Sequence, residues 1–142
     1  MEVRQISVFL ENKAGQLAHI CRILADEQID MKALNIAETS DYGVLRIITD
    51  KPLKTLSVLT KNSLVCTSSD VVAVKVPDVP GGLAGVLEVI ADKGISIEYM
   101  YSMMSNHFSG NAVMVFQTTE PSKVFVDAGL AVLSGSDIGI TE

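Results

Sequence analysis

The hydrophobic pattern of this 142-residue chain repeats after 66 residues, which indicates that one structural plan is used twice. Alternating apolar residues, typical of a half-buried strand, occur in both places: Ile6, Val8 and Leu10, then Val72, Val74 and Val76. The helical stripe that follows recurs in the same frame: Leu17, Ile20, Cys21 and Leu24, then Leu83, Val86, Leu87 and Ile90. Chance would not keep a strand period and a helix period in phase together, so we expect two similar halves, residues 1–69 and 70–142.

Each half is expected to contain strand, helix, strand, strand, helix and strand in that order. In the first half the pattern predicts strands ending at residue 11 and at 29–37, 43–49 and 64–67, with helices to about residue 27 and from residue 52 to about 62. In the second half three residues are inserted within 106–110, and a helix at 121–133 and a short edge strand at 137–141 complete the order. This α+β arrangement of two ferredoxin-like βαββαβ repeats places two helices on one face of each antiparallel sheet.

A short loop joins the first strand of each half to its helix. We call residues 11–17 the first elbow and residues 77–83 the second elbow. Pro77 removes a backbone donor and so ends its strand, and Gly81 and Gly82 allow a tight turn before the helix. At a helix start, unpaired N–H groups and the positive end of the helix dipole favour an anion. Both elbows are therefore expected to hold an anionic group.

The second elbow carries a resemblance to a known family. Its sequence Pro77-Asp78-Val79-Pro80-Gly81-Gly82-Leu83, with Asp92-Lys93-Gly94-Ile95-Ser96-Ile97 opening the next strand, resembles the signature of the ACT domain, a small regulatory module that binds amino acids. Both halves fit this signature, so the resemblance covers essentially the whole chain. It implies that a free amino acid is the ligand of the elbows.

The first elbow resembles the serine-sensing ACT domains of phosphoglycerate dehydrogenases, in which a loop asparagine grips the ligand. Asn12 stands at that position. The sequence departs from the family at Ala14, where proline is usual, and at Gln28, where glycine is frequent. A second binding asparagine of those domains is replaced by Asp30 in the first half and by Ser96 in the second. These departures leave the identity of the ligand open.

A free amino acid needs hydrogen-bond donors for its carboxylate beside acceptors for its ammonium group. The residues expected to bind it are Asn12, Ala14, Gly15, Gln16, Leu17 and Asp30 in the first half, and Asp78, Val79, Gly81, Gly82, Leu83 and Ser96 in the second. The same glycines could serve only as turn residues, and Asn12 and Asp78 could be ordinary helix caps. The family resemblance also implies pairing of the edge strands 29–37 and 96–104, which would make one eight-stranded sheet and bring Asp30 or Ser96 to a neighbouring elbow.

The charge and cysteine content of the chain limit the partners, cofactors and cellular compartment that we expect for it. A net charge of −6 without a cluster of Lys or Arg argues against nucleic acid and membranes. Cys21 and Cys66 lack CxxC spacing, so we expect a reducing cytoplasm and no metal or other cofactor. The first residues lack the apolar core of a signal peptide, and no apolar run reaches the roughly 20 residues of a membrane span.

Three functions are compatible with the sequence. The first is a non-catalytic, homodimeric regulatory or sensor protein that binds a free amino acid. The second is a regulatory subunit that docks on an amino-acid biosynthetic enzyme and has a vestigial pocket. The third is an acylphosphatase-like hydrolase, which would need an arginine in its first loop to hold a phosphate. That loop has only Lys13, because Arg22 lies inside the predicted helix, so we favour the first function.

Overall fold

A computed structural model of the protein describes residues 1–11, 13–38, 41–104 and 110–142. Within these ranges the chain forms strands and helices in this order: β1 (Val3–Glu11), α1 (Gln16–Asp26), β2 (Met31–Glu38), β3 (Tyr42–Thr49), α2 (Pro52–Lys61), β4 (Cys66–Pro77), α3 (Gly82–Asp92), β5 (Ile97–Ser102), β6 (Asn111–Thr118), α4 (Ser122–Asp127) and β7 (Val132–Leu133). None of these helices is both long and apolar enough to cross a membrane.

The chain divides into two compact units between Ser69 and Asp70, and each unit also takes one terminus of the chain. The first unit comprises Arg4–Ser69 with Gly139–Glu142, and the second comprises Met1–Val3 with Asp70–Ile138. Strand β4 begins in the first unit and continues in the second. The strands predicted at 64–67 and from residue 72 onward are thus one strand, because the residues between them include neither glycine nor proline to break it.

The first unit orders its strands β2-β3-β1-β4, and β1 and β2 both run antiparallel to β3. Ile6 lies opposite Ile47 and Val8 opposite Leu45, so these side chains share one face of the sheet. That face packs against α1 through the predicted apolar stripe and against α2 through Leu59 and the partly buried Leu56. The core of the unit consists of Ile6, Val8, Leu10, Ile20, Leu24, Ile29, Leu45, Ile47 and Leu59.

The second unit orders its strands β7-β4-β6-β5, all antiparallel. Its core repeats the plan of the first and consists of Val72, Val74, Val76, Val86, Ile90, Ile95, Phe116 and Phe125. The rings of Phe116 and Phe125 lie 6.2 Å apart between centroids, which joins α4 to the sheet. The predicted α+β class with ferredoxin-like repeats is confirmed.

The predicted eight-stranded sheet is wrong. The described part of the chain contains seven strands, since β4 is a single strand where two were expected. The expected pairing of strands 29–37 and 96–104 is also not found among the described strands, because β2 pairs with β3 and β5 pairs with β6.

Two predictions for the end of the chain are also wrong. The helix expected at 121–133 stops at Asp127, because Gly129 takes a left-handed conformation with φ 85° and closes it. Residues 132–133 then pair with β4. The strand expected at 137–141 is replaced by a short 3-10 turn at Ser136–Ile138. Most of the predicted insertion, residues 106–109, lies outside the described residues.

Each of the four helices ends with a left-handed residue in the same hydrogen-bonding pattern. After α1, Ile29 N–H donates to Leu24 O at 2.9 Å, and after α3 Ile95 N–H donates to Ile90 O at 3.2 Å. The left-handed residues are Gln28 (φ 55°), Ser63 (φ 63°), Gly94 (φ 69°) and Gly129 (φ 85°). The first unit therefore places non-glycine residues where the second unit uses glycine.

Residues near the chain termini cap two helices for which the described part of the chain shows no side-chain cap at the N-cap position. At the start of α2, Oε1 of Glu142 accepts hydrogen bonds from the N–H groups of Leu53 and Lys54, at 2.7 and 3.3 Å. At the start of α4, Oε1 of Glu2 accepts one from the N–H of Ser122 at 2.8 Å. These carboxylates satisfy backbone donors that a helix start otherwise leaves unpaired.

Candidate functional site

The first elbow is shaped by a left-handed glycine. Strand β1 ends at Glu11, and Lys13 N–H donates to Glu11 O at 2.8 Å to begin the turn. Gly15 has φ 87° and ψ −10°, a conformation that residues with a Cβ rarely adopt, and it stands directly before α1. No side chain caps the start of α1 in the described residues, and Asn12 lies outside them. The elbow therefore presents a helix start to its surroundings.

A cavity of about 330 Å³ lies at this elbow. Its lining comes from the end of β1, the starts of α1 and β3, and the segment before β4: Phe9, Leu10, Glu11, Gln16, Tyr42, Ser63, Leu64 and Val65. The Oε1 atom of Gln16 is buried and accepts no hydrogen bond from any residue that the structure describes. A buried acceptor without a partner is unfavourable, so this atom is suited to a donor from a bound molecule.

An ion pair fixes the charge at the cavity wall. Oε2 of Glu11 lies 2.6 Å from Nζ of Lys13, and both side chains are largely exposed. The hydrogen bond and charge of Lys13 lower the pKa of Glu11, and the same contact raises the pKa of Lys13. Glu11 is therefore a carboxylate at neutral pH, and the cavity has a negative group beside its apolar walls.

The second elbow has the same glycine turn but is tighter. Gly81 has φ 84°, and Gly82 N–H donates to Val79 O at 3.0 Å, compared with 3.4 Å for the equivalent bond from Gln16 to Lys13. A Cβ added at Gly82 would overlap the carbonyl oxygen of Pro77. In the first elbow this position is occupied by Gln16, so that turn must stand farther from its strand.

The other predicted residues of the second elbow lie at the surface. Asp78, Val79, Gly81 and Leu83 are exposed, and Gly82 is half-buried. The backbone N–H of Asp78 donates to Gly110 O at 3.0 Å. In the first elbow Ala14 and Gly15 are exposed as well, whereas Leu17 packs against the core and Gln16 lines the cavity.

Asp30 and Ser96 do not meet the elbow of their own unit. Glu11 lies opposite Tyr42 at one end of β3, while Met31, next to Asp30, lies opposite Thr49 at the other end. Seven residues of strand separate these positions, about 23 Å. The second unit repeats this arrangement along β6. Pro77 of the elbow lies opposite Asn111 at one end of β6. Ile97, the residue after Ser96, lies opposite Thr118 at the other end.

The carboxylate of Asp30 is already engaged. Its Oδ2 lies 2.8 Å from Nζ of Lys32, and its backbone N–H donates to Oδ1 of Asp50 at 2.9 Å. Asp30 therefore has a structural role at the start of β2 whatever else it contacts. Among the described residues, no group of three or more His, Cys, Asp or Glu side chains could hold a metal ion.

Seven of the eight lining residues are not among the predicted binding residues, and two of the seven, Leu10 and Glu11, lie at the end of β1. Phe9 and Tyr42 reach the cavity because β1 pairs with β3, and Val65 does so because Phe9 N–H donates to its carbonyl oxygen at 3.0 Å. Ser63 and Leu64 directly precede Val65 in the chain and line the same cavity. A signal for one of them was present, since Phe9 is an aromatic residue on the outward face of an alternating strand and is 44% exposed.

Solved structures with the same fold include one related in sequence. The chain is similar to protein BT0572 from Bacteroides thetaiotaomicron, with 38% identity over 99% of this chain and 98% of that one and a TM-score of 0.89. It also resembles the regulatory subunits of aspartate kinase from Thermus thermophilus and Thermus flavus, each at 16% identity, with TM-scores of 0.65 and 0.59. The alignment with the Thermus thermophilus subunit covers 89% of both chains, and that with the Thermus flavus subunit covers 90% of both. At this identity the two similarities show the fold alone.

No curated protein matches the sequence. Residues 1–135 match the family described as the ACT domain pair, which confirms the resemblance seen in the two elbows. The match takes in both elbows, the cavity lining and both helical cores. The chain therefore belongs to the ACT domain family, as an ACT domain pair.

Proposed function

We propose that this protein is a non-catalytic regulatory protein that binds a free amino acid, and that its principal site is the cavity at the first elbow. The observation that carries the proposal is a cavity of about 330 Å³ that is lined in part by Gln16, a residue whose buried Oε1 lacks a donor among the described residues. Cavities that hold small molecules begin at about this size. The site stands at the start of α1, a position that favours a negatively charged group of a ligand.

Both charged groups of an amino acid have partners in this arrangement. The ammonium group donates to Gln16 Oε1, with the Glu11 carboxylate nearby as a second acceptor. The carboxylate accepts hydrogen bonds from backbone N–H groups around Gly15 and Leu17 at the start of α1, and from the Gln16 N–H, whose bond to Lys13 O is long at 3.4 Å. Asn12 completes the elbow, in the role that the serine-sensing relatives give to their loop asparagine.

We propose that the second elbow binds more weakly than the first. Its helix start lies so close to the Pro77 carbonyl that no side chain fits at position 82, and so nothing there can replace the Gln16 amide. The second elbow is therefore at most a secondary binding site. Its turn consists of the predicted residues Asp78, Val79, Gly81, Gly82 and Leu83. Asp30 and Ser96, which are remote from their own elbows, contribute through a homodimer of this cytoplasmic protein.

A second function, docking on an amino-acid biosynthetic enzyme, is favoured by the fold of the aspartate kinase regulatory subunits. In that case the protein transmits the presence of its ligand to an enzyme, or docks with a pocket that no longer binds. Affinity capture with and without amino acids separates these outcomes. A stoichiometric enzyme partner whose capture ignores every amino acid would support the vestigial pocket.

The proposed function is tested by thermal-shift and calorimetric titration of the twenty amino acids on the wild type and on Gln16→Leu. A ligand at 100 times its dissociation constant adds about 2.7 kcal/mol to the free energy of unfolding. We expect one group of amino acids to stabilise the wild type and to lose at least about tenfold in affinity for Gln16→Leu.

Gln117→Leu is the matched control, because Gln117 also has a buried Oε1 without a partner among the described residues but lies outside both elbows. It should bind like the wild type. Equal losses from the two leucine variants, or no stabilisation of the wild type by any amino acid, would remove the first elbow as the site.

A further inference from the structure

We propose that the first-elbow cavity selects amino acids with neutral apolar or aromatic side chains over those with charged side chains. This inference rests on the proposed function and adds the class of ligand. It is carried by the residues that line the cavity. Five are apolar or aromatic, two are polar and neutral, and one is acidic: Phe9, Leu10, Tyr42, Leu64 and Val65, then Gln16 and Ser63, then Glu11.

The charge of the wall opposes an acidic side chain. The described residues that line the cavity include no Lys, Arg or His, and the nearby ammonium group of Lys13 is already paired with Glu11 at 2.6 Å. An aspartate or glutamate ligand would bring a second carboxylate close to Glu11 without a free cation to balance it. Its side chain would also exchange water for apolar walls, which is unfavourable for any charged group.

A basic side chain is disfavoured for a related reason. In the proposed complex Glu11 already faces the ligand ammonium and pairs with Lys13 through Oε2, so a basic side chain would have to displace one of these cations. The pair with Lys13 is largely exposed, and such pairs are weak. It therefore gains little by the exchange. It still loses water to the apolar walls, because a lysine or arginine ligand carries its charge past them.

The apolar part of the wall is left uncovered in the free protein. Tyr42 is 53% exposed and Val65 is 65% exposed, and both lie beside Phe9 at the cavity. Tyr42 is the cross-strand partner of Glu11, and Phe9 precedes Glu11 by two residues, so the two aromatic residues and the carboxylate share one face of the sheet. A ligand ammonium near Glu11 thus places the ligand side chain against the two rings.

The size of the cavity fits this class. About 330 Å³ is close to the lower limit for small-molecule sites, so a single amino acid fills it better than a nucleotide or a peptide would. A small polar side chain such as that of serine would leave the rings and Val65 in contact with water. Leucine or phenylalanine would cover them, which favours binding through the apolar area removed from water.

The test is calorimetric titration of leucine, phenylalanine, serine, aspartate and lysine on the wild type and on three variants. We expect leucine or phenylalanine to bind the wild type at least about tenfold more tightly than aspartate or lysine. Phe9→Ala should weaken the apolar ligands by about tenfold and serine much less. Glu11→Gln should narrow the preference for leucine over aspartate, because it removes the like charge.

Val126→Ala is the matched control, since Val126 is 43% exposed on α4, outside both elbows, and it should leave all affinities unchanged. If circular dichroism shows that Phe9→Ala is unfolded, Val65→Thr tests the same wall with a smaller change. Tightest binding of aspartate, lysine or serine would overturn this inference and leave the proposed function standing. Failure of every amino acid, at millimolar concentration, would overturn both.

Discussion

Glu142 caps helix α2 by accepting the backbone hydrogen bond of Leu53 at 2.7 Å. The neighbouring Thr141 N–H donates to Asp50 O at 2.8 Å, so the terminal segment is held at two points in the first unit. Because no neighbouring side chain among the described residues caps α2, the side-chain carboxylate of Glu142 supplies what residues next to a helix usually supply. The last residues of the second half in sequence thereby stabilise a helix of the first unit.

The first prediction concerns this cap. Glu142→Ala should lower the free energy of unfolding by about 0.5–2 kcal/mol, because it leaves the N–H groups at the start of α2 without their carboxylate. Chemical denaturation measured by circular dichroism checks the value. Glu88→Ala, which removes an exposed glutamate of α3, is the control and should change stability by less than about 0.5 kcal/mol. Equal effects would contradict the capping role.

The second prediction is a pH dependence at the other terminus. The backbone N–H of Ser122 and then its hydroxyl, with a smaller contribution from the chain amine, lower the pKa of Glu2 from 4.5 to about 2. Because the pKa is lower in the folded state, the contribution is full above about pH 4.5 and is lost as the pH falls toward 2. The side chain is 36% exposed, so solvent screening reduces the contribution below what the shift implies.

Thermal unfolding of the wild type and Glu2→Gln between pH 2 and 7 checks this dependence. We expect the variant to be less stable by about 0.5–1 kcal/mol at pH 7 and the difference to shrink steadily below pH 4.5. A difference that stays constant down to pH 2 would mean that the charge of Glu2 does not contribute to the cap.

The elements of the cores could be predicted because their periods are local properties of the sequence. Ile6, Val8 and Leu10 are buried on one strand face, and Ile20 and Leu24 are buried on one helix face, as the strand and helix periods require. The glycine turn of each elbow could be predicted for the same reason. These features depend on residues a few positions apart.

The cavity and the terminal caps could not be predicted because they depend on distant residues. Phe9, Tyr42 and Val65 come together only through strand register, and a shift of one residue would turn their side chains to the other face. Glu142 is 89 residues from Leu53 in sequence. The full length of β4 does not follow from the apolar pattern because residues 67–70 are polar, although none of them is a residue that ends a strand.

The third prediction uses the left-handed residue that ends α1. Gln28 has φ 55°, where its repeat equivalent Gly94 has φ 69°, so Gln28→Gly should relieve backbone strain and raise the free energy of unfolding by about 0.5–1 kcal/mol. Gly94→Gln should lower it by a similar amount. Ala25→Gly, inside α1, is the control and should destabilise by about 1 kcal/mol. Denaturant titration of the three variants decides, and destabilisation by Gln28→Gly would contradict the argument.

The fourth prediction compares two glycines of α3 that differ in one contact. A Cβ at Gly82 would overlap the Pro77 carbonyl oxygen, whereas a Cβ at Gly85 meets nothing within 4 Å. Gly82→Ala should therefore destabilise the protein by about 1–3 kcal/mol, because the elbow must move away from its strand. Gly85→Ala should stabilise it by about 0.5–1 kcal/mol, since alanine favours a helix. Chemical denaturation measures the free energy of unfolding of both variants. Equal changes in the same direction would show that the second elbow is not tighter than the first, in which Gln16 occupies the position of Gly82.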